Sequence, residues 1–202
     1  MFPDVLKVFT FLILEKAAYF RLNQDRGQQT YRAGCFIDAT GDADLAVLCG
    51  VPCRLGREED RLCQPMTLCF RIIGVDLEKR RRGFQKAQQL YKQYRQEGKI
   101  KNPREDLLLF ETMQDGVIHV NSTRIVKRNP VDAWDRTRAE IEAREQVFEL
   151  FSFLKENAEG FENSRLLSTA MEIGVRESRM IHGLYTLTAE DLKACTHFED
   201  SI

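Results

Sequence analysis

Several signatures are missing from this chain of 202 residues, and each absence removes a class of function. No G-x-G-x-x-G occurs in it, so the glycine turn that seats a pyrophosphate at a helix N-terminus is not encoded. No two cysteines stand in C-x-x-C spacing. The six (Cys35, Cys49, Cys53, Cys63, Cys69 and Cys195) do not form the C-x2-C-x2-C-x3-C run of a cluster-binding segment. Gly50 and Pro52 oppose a regular helix between Cys49 and Cys53. Buried, reduced thiols are expected, with no metal site.

An excess of charge is missing too. Lys and Arg total 30 against 31 Asp and Glu, a net charge of -1, so no broad positive field draws in nucleic acid or an anionic membrane. The run Lys79-Arg80-Arg81-Arg82 reads as a solvated helix entrance instead of a phosphate patch. Val8 to Leu14 is an apolar stretch, far short of the about 20 residues of a bilayer span. Its flanks lack the basic n-region and small-residue cleavage site of a signal peptide. The expectation is a cytoplasmic protein without nucleic-acid or membrane partners. Repeats, low-complexity tracts and long linkers are absent as well, and oligomeric state is left open.

What is present alternates between strand and helix periods. Phe20-Arg21-Leu22, the turn residues Asp25-Arg26-Gly27 and then Thr30-Tyr31 predict a strand, a turn and a second strand. Cys35-Phe36-Ile37 predicts a short buried strand that ends in Asp38-Ala39-Thr40-Gly41-Asp42, followed by a helix over 45–48. Met66 to Ile73 alternates, with Met66, Leu68, Phe70 and Ile72 on one side and Thr67, Cys69 and Arg71 on the other. Gly116 to Ile125 predicts a second strand, with an antiparallel pairing between the two. Helices are expected over 78–96, stopped by Gly98, and over 132–156, stopped by Gly160 and capped by Asp132 or Asp135. Leu166 to Ile173 and Leu184 to Leu187 read as extended, split by Arg176-Glu177-Ser178-Arg179. Residues 1–19 carry no clear period.

Chemistry concentrates at a few motifs. In Phe36-Ile37-Asp38-Ala39-Thr40-Gly41-Asp42, the small residues Ala39, Thr40 and Gly41 leave main-chain N–H groups open to close approach by a phosphate or sugar chain. Asp42 supplies an acceptor for sugar hydroxyls. An ordinary turn is the alternative for such a stretch. This segment resembles the second flavin motif of the glutathione-reductase-like FAD superfamily. It is followed in order by Gly50-Val51-Pro52, Leu55-Gly56-Arg57-Glu58, Gln64-Pro65-Met66-Thr67, His119-Val120-Asn121-Ser122-Thr123-Arg124, Ile173-Gly174-Val175-Arg176-Glu177-Ser178-Arg179, Gly183-Leu184-Tyr185 and Leu187-Thr188-Ala189-Glu190-Asp191. That order over roughly residues 20 to 202 resembles bacterial FAD-dependent oxidoreductases related to the heterodisulfide reductase A-like group.

The resemblance implies an α+β chain: part of an FAD-binding α/β domain carrying an inserted antiparallel-sheet and helical substrate-side domain. The implied division is 1–19 unplaced, 20–62 from the FAD-binding domain, 63–165 substrate-side and 166–202 returning toward the FAD domain. FAD is the implied cofactor and hydride or electron transfer the implied chemistry. Ala39, Thr40, Gly41 and Asp42 are the implied cofactor-binding residues, with Gln64 and Thr67 near the isoalloxazine. Arg124, Arg176 and Arg179 are candidates for gripping an anionic small-molecule substrate or the charge on reduced flavin. A structural ion pair, with Glu177 or Glu172, is the alternative for each. His119 and His182 are candidate proton relays, with a hydrogen-bonded structural histidine as the alternative, and His197 stands apart from the motifs. Some relatives of this group carry 4Fe-4S clusters, for which the cysteine spacing here gives no support. The missing glycine fingerprint departs from the family pattern, as do residues 1–19, and the expectation is an incomplete fragment that binds FAD weakly or not at all by itself. A catalytically inactive remnant or protein-interaction module is the competing expectation.

Overall fold

The computed structural model describes residues 20–24, 27–31, 33 and 36–199, and the side chains from residue 31 onward. The expectations for residues 1–19, for Cys35 and for the turn residues Asp25 and Arg26 lie outside the described residues. In chain order the elements begin with β1 (Phe20–Gln24), β2 (Gly27–Tyr31), α1 (Asp44–Leu48) and β3 (Cys53–Leu55). They continue with β4 (Phe70–Ile73), α2 (Leu77–Gln96), β5 (Leu109–Glu111) and β6 (Val117–Val120). The chain closes with α3 (Ala133–Asn157), β7 (Arg165–Thr169), β8 (Arg179–Ile181) and α4 (Ala189–Ala194). Every strand pair is antiparallel, so the chain is α+β.

The chain divides into two compact units, one of residues 1–58 with 179–202, the other of residues 59–178. The second holds the apolar core. Its four-stranded sheet runs β5-β6-β4-β7. Phe70 faces Val120 and Ile72 faces Ile118 across the β4–β6 pair, and all four side chains are buried. They pack with Tyr91 of α2 and Val147, Leu150 and Leu154 of α3 in one cluster. The helix stripes produce this directly: Ala87 and Tyr91 on α2, and Ala143, Val147, Leu150 and Leu154 on α3, recur at three- and four-residue spacing. Each long helix starts on an aspartate. Asp76 accepts from the Lys79 N–H (3.1 Å) and Asp132 from the Asp135 N–H (2.8 Å).

Gly160 matters for a reason beyond stopping α3. Its φ is +90°, and a Cβ there would stand 2.5 Å from the Asp76 carbonyl oxygen, so the start of α2 packs directly on its backbone.

Several expectations change. The strand foreseen over Met66 to Ile73 covers only Phe70–Ile73, because the Thr123 hydroxyl takes over the ladder bonds of Leu68. It donates to the Leu68 carbonyl (3.0 Å) and accepts its N–H (2.8 Å). The second strand likewise shortens to Val117–Val120. Phe36 and Ile37 form no strand; Ile37 makes one isolated bridge and is 55 % exposed. Residues 184–187 are irregular. None of the five described cysteines is buried: Cys49 and Cys195 are exposed and Cys53, Cys63 and Cys69 half-buried, all as free thiols. The basic run is not wholly solvated either. Arg80 donates to the Leu109 carbonyl (2.8 Å) and Glu111 (3.0 Å), while Arg81 grips Glu111 with both ends of its fork (2.9 and 2.5 Å), pinning α2 to β5.

In the first unit, β1 and β2 form a hairpin in register from Phe20 opposite Tyr31 to Gln24 opposite Gly27. β3 pairs with β8, with Cys53 opposite Ile181 and Leu55 opposite Arg179. α4 opens on a capping box between Thr188 and Asp191.

Candidate functional site

The Asp38–Asp42 loop is built around one buried carboxylate. Asp38 is 3 % exposed. It accepts from the Thr40 N–H (3.0 Å), the Thr40 hydroxyl (2.8 Å) and the Ala46 N–H (2.8 Å). The Thr40 oxygen in turn accepts from the Asp44 N–H (2.9 Å). Asp38 and Thr40 therefore cap the first turn of α1 from within the loop, in the manner of an Asx turn. Gly41 (φ +81°) and Ala43 (φ +56°) supply the left-handed bends that turn the chain into the helix.

This closure decides which groups remain for a ligand. Ala39, Thr40 and Gly41 are exposed and Asp42 is half-buried. The Asp42 carbonyl accepts from the Arg179 guanidinium (3.0 Å), which also pairs with Asp44 (2.6 Å). Arg179 thus has a structural ion pair, but with Asp44 in place of Glu177 or Glu172, and β8 delivers it opposite Leu55. The Asp42 carboxylate itself makes no hydrogen bond or ion pair among the described residues. The loop thus holds one committed carboxylate, Asp38, and one, Asp42, that has no partner among the described residues. The adjoining cleft, lined by Asp38, Gly41, Ala46 and Arg179, has a volume of about 80 Å³. Ligand pockets usually run from roughly 300 Å³ upward, so this cleft is too small to enclose a large ligand.

Within the second unit three distant motifs meet at residues 64–68. The Gln64 N–H donates to the Glu177 carboxylate (2.7 Å). Thr67 and Gly174 exchange two backbone hydrogen bonds, at 3.2 and 2.8 Å. A Cβ on Gly174 would stand 3.1 Å from the Thr67 carbonyl oxygen, so glycine permits that approach. Met66 bridges to Ile125, and Thr123 holds Leu68. The Gln64 side chain is exposed, whereas Thr67 is 8 % exposed.

The proposed arginines and histidine do not share one place. The Arg124 backbone is clasped by Gln146 of α3 (2.8 and 3.1 Å), and its guanidinium pairs with Glu105 (3.1 Å). Arg176 is exposed and makes no ion pair or hydrogen bond among the described residues. His119 sits half-buried on β6, opposite Arg71 of β4 and Phe110 of β5. Its ring lies 6.3 Å from that of Phe110. His182 and His197 are exposed.

His119 lines a depression of about 270 Å³ with Cys69, Arg71, Ser168 and Met171. Burial pushes the Cys69 thiol pKa up, and the nearby Arg176 guanidinium opposes that push. Arg71 and Ser168 also line the depression, and neither was singled out from the sequence. The signal was available, since alternation along Met66 to Ile73 leaves Arg71 as the one charged residue on the side turned away from the core.

No helix among the described residues is long and apolar enough to cross a membrane. Among the same residues, no three or more His, Cys, Asp or Glu gather where a metal ion could be held. Neither a curated protein nor a solved structure matches the chain. The family model described as FAD dependent oxidoreductase matches residues 14–202. That span takes in the Asp38–Asp42 loop and the motifs that meet at residues 64–68, and on it the chain belongs to the FAD-dependent oxidoreductase family.

Proposed function

We propose that the chain acts in flavin-dependent hydride or electron transfer, with Ala39, Thr40, Gly41 and Asp42 contacting the sugar and phosphate chain of FAD. The observation that carries this reading is the division of labour between two aspartates. Asp38 is consumed by the turn, and Asp42, four residues on, presents a carboxylate with no partner among the described residues. Bound FAD supplies the redox centre; the protein supplies acceptors, shape and charge. The family resemblance, with its order of motifs, supports Gln64 and Thr67 as neighbours of the flavin ring and a kinship with the heterodisulfide reductase A-like group. It also supports Arg124, Arg176 and His119 as substrate-side residues for a small anionic molecule. The ion pair to Glu105 weighs against Arg124 in that set.

The grip on FAD is weak in this chain alone, because its 202 residues contain no G-x-G-x-x-G to seat the pyrophosphate. Titration of the purified chain with FAD, read by flavin fluorescence, is expected to give a Kd on the order of 100 µM, near -5.5 kcal/mol. Asp42→Ala is expected to weaken it about tenfold. A yellow protein holding stoichiometric flavin after desalting defeats the weak-grip reading. No saturable binding up to roughly 1 mM FAD, set against the same scale, defeats the contact itself.

One observation favours the competing reading of a protein-interaction module. Trp134, Ile141 and Phe148 recur every seven residues on α3 and are 74, 57 and 62 % exposed. Such a seam suits pairing with a second helix. Sedimentation separates the readings: a monomer that binds FAD supports the flavoenzyme, and a self-associating chain without FAD affinity supports the module.

A further inference from the structure

The sheet of the second unit has one side packed on α2 and α3 and an opposite side that carries a row of four residues. Phe110, His119, Arg71 and Ser168 stand directly opposite one another on β5, β6, β4 and β7. Directly opposed residues in antiparallel strands lie about 4.5–5.5 Å apart, so an aromatic ring, an imidazole, a guanidinium and a hydroxyl follow one another across the sheet. The depression of about 270 Å³ sits on this row.

Its chemistry is one-sided. No Asp or Glu lines it, and neither Arg71, His119 nor Ser168 spends its side chain on a hydrogen bond or ion pair among the described residues. Most arginines with a fixed role here are paired: Arg81 with Glu111, Arg124 with Glu105, Arg128 with Glu142 and Arg179 with Asp44. Arg71 is not. Arg176, also unpaired, lies close enough to act on Cys69 at the edge of the depression. A guanidinium left open beside a hydroxyl and an imidazole favours an anion, and its planar fork matches a carboxylate with two parallel bonds. Met171 in its lining is 78 % exposed, and Phe110, opposite His119 on the next strand, is 50 % exposed; both would gain from contact with a hydrocarbon or aromatic body.

We propose that this depression binds a small carboxylate with an apolar body, its carboxylate on Arg71 and Ser168 and its body toward Phe110 and Met171. The assignment rests on the flavin reading only in making this ligand the substrate; the binding itself needs no FAD. It moves the anion grip from Arg124 to Arg71, with His119 directly opposite it on β6.

The test uses the full chain without FAD. Benzoate is titrated at constant ionic strength while the ring signals of His119 are followed by NMR, with inorganic phosphate and acetate run in parallel. Benzoate is expected to shift His119 saturably with a Kd of about 1 mM, a modest affinity for a ligand of that size. Acetate is expected to bind at least fivefold more weakly, and Arg71→Ala to weaken benzoate at least tenfold with an unchanged melting temperature. Arg71→Lys, which keeps the charge and loses the fork, is expected between the two and serves if the alanine variant misfolds. A His119 signal that does not saturate, phosphate binding tighter than benzoate, or an Arg71→Lys variant equal to wild type each overturns the proposal. Because FAD is absent throughout, failure here leaves the Asp42 titration untouched, and failure there leaves this result standing.

Discussion

At the scale of single residues, two aspartates four positions apart do opposite work. Asp38 lies under the loop and gives its carboxylate to three donors, while the Asp42 carboxylate has no partner among the described residues. Asp38→Ala strips the cap from α1 and leaves the buried Ala46 N–H unpaired, at about 2–3 kcal/mol. A thermal melt of the variant is expected to show that loss. Asp42→Ala removes no side-chain bond among the described residues, so its stability is expected to stay within about 0.5 kcal/mol of wild type while its affinity for FAD falls. If the two variants behave alike in both measurements, the division between a structural and a ligand-facing aspartate is wrong. The motif could be found in the sequence, but the split between its two aspartates could not. It depends on which carboxylate the turn folds over, a three-dimensional fact.

At the scale of elements, helices were more legible than strands. α2 and α3 announce themselves through apolar spacing, a capping aspartate and a following glycine, all local signals. β5 was invisible inside the apolar run of Leu107 to Phe110, because a continuous run does not reveal its period. β3 and β8 were missed for a different reason. Each is only a few residues long and exists through the other, more than a hundred positions away. Thr123 shows how far a side chain can redraw an element. Its hydroxyl ends the β4 ladder at Leu68, so Thr123→Val, nearly the same shape, is expected to destabilise the chain by about 2 kcal/mol by orphaning two buried backbone groups. A chemical denaturation midpoint checks it.

The join between α2 and β5 adds a pH dependence. The side-chain hydrogen bond from Arg81 holds the Glu111 carboxyl below the usual glutamate range near 4.5, with the Arg81 and Arg80 charges acting the same way. A depressed folded pKa contributes stability that is complete above the unfolded value and lost as pH falls through the folded one. Melting temperature is therefore expected to drop as pH is lowered from about 5 to about 3, and Glu111→Gln is expected to flatten part of that drop. A wild-type curve that is level through this window, or a variant that follows wild type, removes Glu111 from the account.

At the scale of the whole molecule, burial among the described residues is unequal between the two units. The apolar cluster of Phe70, Ile72, Tyr91, Val147 and Leu150 belongs to residues 59–178. Among the described residues of the other unit, Leu45 and Ala46 are the buried apolar side chains. Apolar burial contributes about 25 cal/mol per Å², so the unit with the larger core should open last, and local opening free energies should differ along the chain. Native-state hydrogen exchange is expected to find the slowest amides in β4, β6 and α3, and faster ones in α1 and β3. The same measurement links this imbalance to the cofactor. A ligand that binds only the folded loop stabilises it by RT ln(1 + [L]/Kd), about 1.4 kcal/mol at ten times Kd. Saturating FAD should then slow exchange roughly tenfold at the Ala46 and Asp44 amides, which Asp38 and Thr40 hold. If the Asp38–Asp42 loop is the main contact, β4 and β6 should stay nearly unchanged, because their opening is governed by the core of the second unit. Slowing confined to the sheet would instead put the cofactor's main contact in the second unit, on Gln64 and Thr67, and the Asp38–Asp42 loop would be an ordinary turn.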